Sequence, residues 1–597
     1  MKAAGAERHS PAPLQAWVRA LSASASIGVN APATLPQLIE HSAERLGTAP
    51  ALLSAQCSYD YRQLADALRR YARWGLSEGL RPGDVVALLM YNSPQYLALW
   101  LGLTRIGVSV ALLNTQLRPA ALVHCIALVQ ARGVIVGPGL GAVALEVHAG
   151  AVPLRWWSHG EPQLPWPRAD LGAAAQSSAA LADDALAPPS PLQRALYIYT
   201  SGTTGLPKAA QISHRRVMQW AHWFSGMMGV EGSDRMYDCL PMYHSIGGVV
   251  ATGAMLVAGA SVVVRERFSA RDFWRDVVEQ RCTLFQYIGE LCRYLLAQSP
   301  DAREQQHALR LCCGNGLRRD VWLAFQERFR IPQILEYYAA TEANFSLYNC
   351  EGHPGAIGRI PPFLSHRMRV ALVRSDAESA SVWREPDGRC QRVAAGEIGE
   401  AICEIVSGDA GAAQFEGYSD LEASEQKILR DVFQPGDAWY RSGDLMRQDE
   451  RGFFYFVDRI GDTFRWKGEN VSTTEVTAAL ERCAHVREAL VYGVRVPGNE
   501  GRAGMAALVV EPGFSLPLFQ REIHTALPAY AQPLFVRLVP ELELTGTFKL
   551  SKQRLSAEGY DATRLSDPLF IADATTHRYE PLDGLRYAQL LAGSLRV

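Results

Sequence analysis

Between residue 58 and about 137, apolar and polar positions switch repeatedly between two periods. In "YDYRQLADALRRYARW", Tyr61, Leu64, Leu68 and Tyr71 recur at helical spacing. "RPGD" then turns the chain, and "VVALLM" (85–90) is an uninterrupted apolar run of strand length, as a strand covered on both faces requires. Ser93 and Pro94 predict an N-cap and a first helical position for a helix that stops near Gly107. "VSVALL" (108–113) is the next strand, a helix starts at about Pro119, and "GVIVG" (133–137) is a further strand. Strands alternating with helices predict a parallel, doubly wound α/β sheet.

The pattern weakens from about Pro138 to Pro191, which predicts a surface excursion or a junction between subdomains. Strand and helix signals resume at "ALYIYT" and run to about residue 345. From Gly352 to about Gly443 the text is strand and turn, with "GEIGEAICEIV" its clearest piece. Beyond Asp458 the register changes again. "ALVYGVRVP", "AGMAALVV" and "LFVRLV", with short helices between them, predict a small separate α+β domain. There is no short-period repeat. The uncharged stretch "IGGVVATGAMLVAGASVVV" (246–264) has the length of a membrane span, but it holds four glycines and turns β-branched after Gly259. A buried helix followed by a central strand accounts for it better.

Composition narrows the class. A chain of 597 residues, 48% hydrophobic, exceeds what one core organises, so at least two domains are expected. A formal net charge of −2 argues against a nucleic-acid partner. Eleven cysteines without a CxxC pair read as a reduced, cytoplasmic protein, and the N-terminus has no apolar core of a secretory signal.

The chemistry concentrates first in "YIYTSGTTGLPKAA" (197–210). A Walker A loop needs a glycine directly before the lysine and a hydroxyl after it. Here Gly202 and Gly205 are followed by Leu206, Pro207, Lys208 and Ala209, so that reading fails on spacing. What is left is a flexible loop with four hydroxyls (Thr200, Ser201, Thr203, Thr204), freed backbone amides and one cation. Taken alone, a polyphosphate cradle and a solvated turn explain it equally well.

Four further segments break that tie. "YYAATE" (337–342), "YRSGDL" (440–445), "VDRIGDTFRWKGENVSTTEV" (457–476) and "TGTFKLSK" (545–552) follow in order. Together the five resemble the signatures of the adenylate-forming superfamily of acyl-CoA synthetases, luciferases and adenylation domains, over about residues 35–570. "YDCLPMYHSIGG", "QYIGELCRYLL", "CGNGLR" and "VPGNEGRAGMAAL" are similar to its fatty acid transport protein, or very-long-chain acyl-CoA synthetase, branch.

The resemblance implies a large N-terminal domain (35–459) with doubly wound mixed or parallel sheets and a distorted β-barrel subdomain. It also implies a small mobile α+β C-terminal domain (460–575), with an extension at 1–34 and a tail at 576–597. Its expected activity is ATP-dependent conversion of a long- or very-long-chain fatty acid to acyl-AMP, then to acyl-CoA. The loop from Thr200 to Lys208 would hold the β- and γ-phosphates. Tyr338 and the backbone at Gly316 would face adenine, Thr341 the α-phosphate, and Glu342 would hold Mg²⁺. Asp444 and Arg459 would contact the ribose. Lys549 would sit between carboxylate and α-phosphate, opposing the repulsion of anion approaching anion. His244, Ala339 and Gly314 are expected at the acyl pocket, Trp466 and Gly468 at the CoA channel, and Gly461 at the hinge.

Blander readings stand beside these. Glu342 alone would be a capping carboxylate, His244 a satisfied core histidine, Gly316 a turn glycine and Lys549 a surface lysine. Ser472 and Glu475 form an S-x-x-E capping box opening a helix at 473, which is structure and not chemistry. Ala339 replaces a glycine common in relatives, which bears on pocket size. Gly461 replaces the usual hinge Asp or Lys and absorbs a dihedral change as easily. Three alternatives remain at this level: a ligase for a sterol or bile-acid side chain, an acyl-AMP ligase serving a carrier protein, and a fatty-acid transporter. The expected partners are fatty acid, ATP and CoA. Peripheral contact with the inner face of the membrane and a homodimer are open options.

Overall fold

A computed structural model describes residues 13–27, 33–150, 154–181, 188–200, 207–343, 345–376, 381–405, 415–460, 462–466, 469–497, 499, 501–543, 551–573, 576 and 578–595. The chain divides into two compact units, 1–361 with 405–428, and 362–404 with 429–597.

The first unit holds two large sheets. One has the strand order Arg155–Ser158, Gly133–Val136, Val85–Leu89, Ser109–Leu112, Arg194–Thr200, Lys208–Ser213. All neighbours are parallel except the last pair, which is an antiparallel hairpin. Val85–Leu89 is buried at every position, and Ser93 Oγ caps the following helix, Pro94–Arg105, by accepting the Tyr96 amide at 3.1 Å. The doubly wound sheet expected from the alternating pattern is therefore present. The 138–191 segment is more than an excursion: it forms the helices Gly141–Gly150 and Ala169–Ala174 and the edge strand Arg155–Ser158. Four residues are too short for a period to show, and Trp156 and Trp157 bury themselves by bulk, not by alternation.

The other sheet runs through Pro50–Leu53, Ser261–Val264, Arg235–Asp238, Leu284–Ile288, Leu311–Asn315 and Ile334–Ala339, all parallel. Antiparallel strands flank it at both ends. Ser261–Val264 is the buried central strand predicted for the span-like stretch. It follows a π-helical turn, Ile246–Ala251, and the helix Thr252–Val257. The π turn fits because Gly248 lies against the chain: a Cβ there would stand 1.9 Å from the Met242 carbonyl. Among the described residues no helix is long and apolar enough to cross a membrane. The expected N-terminal extension carries the helix Pro13–Ser24, whose Trp17 is buried beside Trp223 and Tyr348.

In the second unit, Val370–Val373, Ile398–Glu404, Ala438–Gln448 and Phe453–Arg459 form an antiparallel sheet. The expected distorted barrel takes this open form; no closed barrel exists among the described residues. The short strands Ser375–Asp376 and Ser381–Val382 pair with each other instead of closing it. The small C-terminal domain is a five-stranded sheet, Val486–Val494, Ala503–Val510, Phe535–Leu538, Leu569–Asp573 and Arg578–Pro581. Its last strand, with Leu590 of the helix Gly584–Leu591 in the same apolar core, comes from the segment expected as a tail.

Candidate active site

In the first unit the nominated residues stand at strand ends. Thr200 closes one strand and Lys208 opens the next, and the two are direct partners across the hairpin. That pairing brings a hydroxyl and a cation to one place at the strand ends. Ser201, Gly202, Thr203, Thr204 and Gly205 lie outside the described residues, as do Gly461, Gly468 and Lys549.

Tyr338 and Ala339 end the strand Ile334–Ala339, opposite Leu347 and Ser346, and Thr341 and Glu342 follow directly. The Thr341 hydroxyl is 3.1 Å from that of Ser245, so "YHS" and "ATE" meet. His244 precedes Ser245, its ring 4.6 Å from that of Tyr243. This loop is pinned by Asn92, which donates to the Leu240 carbonyl at 2.8 Å and accepts the Met242 amide at 2.7 Å.

Behind Thr341 and Glu342 sits a layer that the motifs do not announce. The Arg216 guanidinium donates to the carbonyls of Ala343, at 3.0 Å, and Thr341, at 3.5 Å. Burial depresses the Arg216 pKa, and the carboxylates of Glu416 and Glu342 oppose that shift. Glu416 lies 3.5 Å from Arg216 Nε and accepts both the amide and the hydroxyl of Ser213. The Tyr418 hydroxyl donates to Glu342 Oε1 at 2.7 Å, the only hydrogen bond to Glu342 among the described residues.

On the neighbouring strands, Gly314 is buried against Tyr287, whose carbonyl a Cβ at 314 would approach to 2.3 Å. That contact gives Gly314 a packing role. Gly316 is exposed at φ +77°, and a Cβ on Gly289 would come within 2.0 Å of its carbonyl, so both glycines are needed for the turn. Glu336 anchors it from below by accepting the Leu317 amide at 3.0 Å and the Tyr287 hydroxyl at 2.5 Å. Burial pushes the Glu336 carboxyl up to about 8, against the lowering effect of Tyr287 and of the Leu317 and Gly316 amides.

In the second unit Asp444 and Arg459 are cross-strand partners, with Oδ1 and Nε 3.2 Å apart. The preceding turn is fixed by Glu400, fully buried, which pairs with both ends of the Arg441 fork and accepts the Gly443 amide at 3.1 Å. Trp466 is buried in the core of the C-terminal domain and pairs with Glu469 across an antiparallel ladder. Ser472 caps the helix Thr473–Leu480 as expected, and also donates to the Val457 carbonyl.

Residues 39–382 match the model of the AMP-binding enzyme family, and 475–549 match that of the AMP-binding enzyme C-terminal domain. The chain belongs to the AMP-binding enzyme family. It is 40% identical to long-chain fatty acid transport protein 1 of Mus musculus over 580 residues, 94% of this chain and 88% of that protein. To long-chain fatty acid transport protein 3 of Homo sapiens it is 42% identical over 525 residues, 87% of this chain and 76% of that protein. The fold is similar to that of the anthranilate CoA ligase AuaEII in complex with anthranoyl-AMP, with TM-score 0.75 and 21% identity, over 89% of this chain and 98% of that one. It is likewise similar to ATP-bound MatB from Rhodopseudomonas palustris, with TM-score 0.73 and 22% identity, over 88% and 99% of the two chains.

Proposed function

We propose that this enzyme activates a long- or very-long-chain fatty acid with ATP and transfers the acyl group to CoA. A carboxylate oxygen attacks the α-phosphorus and pyrophosphate leaves. The CoA thiol then attacks the acyl carbon, AMP leaves, and the thiol proton passes to solvent. The observation that carries this reading is the Thr341–Glu342 turn braced at the end of a parallel strand, in a chain alike over 94% of its length to a long-chain fatty acid transport protein.

Glu342 would hold a magnesium ion. Its Oε1 is occupied by Tyr418, leaving Oε2 as a donor, and no group of three or more His, Cys, Asp or Glu suited to a metal exists among the described residues. A site of one carboxylate completed by substrate phosphates suits Mg²⁺. When bound, that ion offsets phosphate charge in the transition state. Lys208 and Thr200 would hold the distal phosphates, the Thr341 hydroxyl the α-phosphate, Tyr338 and the Gly316 turn the adenine, and Asp444 with Arg459 the ribose. His244 and Ala339 would border the acyl chain, and Lys549 would bridge carboxylate and phosphate. The boundary at 459/460, with Gly461 as hinge, and a CoA channel near Trp466 and Gly468 are part of the proposal. So is a cytoplasmic setting, supported by eleven cysteines with none in a disulfide.

A panel of carboxylates, with and without CoA, tests this through AMP, pyrophosphate and thioester formation. The expected result is CoA-dependent AMP release that peaks on long chains and collapses in Lys549→Ala. Activity on sterol acids alone would move the substrate class. Pyrophosphate without thioester would mark an acyl-AMP ligase, and silence on the whole panel would favour binding or transport.

A further inference from the structure

The segment carrying Glu416 and Tyr418 belongs to none of the motifs, yet it reaches the phosphate side of the site twice. It lies antiparallel against the strand that begins with Lys208: the Gln211 amide donates to the Gly417 carbonyl at 3.1 Å, and the Ser419 amide to that of Ala209 at 2.9 Å. Gly417, at φ +74°, turns the chain between Glu416 and Tyr418. Glu416 is tied to Arg216, which holds the Thr341 and Ala343 carbonyls; Tyr418 is tied to Glu342 itself. Tyr418 is 3% exposed, and the Lys208 ammonium lies over its ring, 5.6 Å from the centroid.

One side chain therefore touches both charged groups assigned to the phosphate end of the nucleotide. We infer that Tyr418 is a positioning residue for that end: its hydroxyl orients the Glu342 carboxylate toward the metal, and its ring face steadies Lys208. The inference rests on the adenylating role proposed above. A hydroxyl donated to one oxygen of a metal-binding carboxylate fixes its rotation and directs the other oxygen, an outer-layer contact whose loss typically costs ~10- to 100-fold in metal affinity.

The test uses the full chain, with Mn²⁺ as the probe metal and α,β-methylene-ATP as the nucleotide, reading bound Mn²⁺ by electron paramagnetic resonance. Tyr418→Phe keeps the ring and removes one oxygen. It should weaken Mn²⁺ in the ternary complex about tenfold and leave metal-free nucleotide binding unchanged. Tyr418→Leu, which also removes the ring, should in addition weaken metal-free binding ~3-fold. In a Glu342→Gln background, Tyr418→Phe should have no further effect on Mn²⁺. Thermal midpoints within a few degrees of wild type separate positioning from unfolding, and Leu stands in as the readable variant if Phe fails to fold. Wild-type Mn²⁺ affinity in Tyr418→Phe, beside a loss in Glu342→Gln, would overturn this role alone. Absence of Mn²⁺-dependent nucleotide binding in the wild type would overturn it together with the adenylating reading.

Discussion

The two units fix their site residues by different means. In the second unit Asp444 and Arg459 face each other because the register of two adjacent antiparallel strands puts them there. In the first unit Thr341 and Glu342 leave the end of a parallel strand, and no neighbouring ladder holds them. Their support comes from far away in sequence: Tyr418 is 76 residues from Glu342, and Glu416 is 203 residues from Ser213. A sheet register positions a pair locally, whereas a strand-end turn needs braces recruited by the tertiary fold. The first kind of site survives the loss of one partner; the second should not.

The largest effect is expected from Arg216→Met. It removes the cation under Thr341 and Ala343 and leaves Glu416 facing Arg215, at 3.9 Å, in place of two guanidinium groups, and breaking a buried cluster in this way costs up to about 3–5 kcal/mol. A urea midpoint shift of that size, with loss of pyrophosphate exchange, would support the brace; an unchanged midpoint would contradict it. Next, Glu342→Gln should lower carboxylate-dependent ATP–pyrophosphate exchange by ~10²- to 10³-fold, without moving the thermal midpoint.

A third expectation concerns pH. The Glu336 carboxyl titrates at about 8 when folded, against a reference value of 4.5. The folded state thus holds a proton that the unfolded chain has released, so this group's contribution is present below 4.5 and is lost as pH rises toward 8. Glu336→Gln does not titrate, so its stability relative to wild type should rise by roughly 3–4 kcal/mol between pH 5 and 8 and then level off. A flat difference across that window would show that the carboxyl is not buried as described. The smallest effect is expected at the register-fixed pair: Asp444→Asn should weaken nucleotide binding about tenfold with little change in stability, because its Arg459 partner is 43% exposed and solvent screens the pair.

The sequence announced whatever depended on local pattern. The helix Pro94–Arg105, its Ser93 cap and the alternation that built the first sheet followed from periodicity and end signals. The strand Arg155–Ser158 did not, because four residues with two buried tryptophans carry no period. The same division holds for the site. Thr341, Glu342, Asp444 and Arg459 were nominated through contiguous motifs. Arg216, Glu416, Tyr418 and Asn92 were not, because each acts across long loops and nothing adjacent in sequence marks it. Trp466 and Gly314 carry packing constraints that the motifs do not announce, burial in the C-terminal core and contact with Tyr287.

The central claim is that a carboxylate oxygen of the fatty acid attacks the α-phosphorus. The most direct test supplies a long-chain acid labelled with ¹⁸O in both carboxylate oxygens, together with ATP, magnesium and CoA, and follows the label by mass spectrometry. Adenylation predicts AMP carrying one ¹⁸O per turnover and unlabelled pyrophosphate. Label in inorganic phosphate with ADP as co-product, or no transfer of label despite thioester formation, would contradict the account.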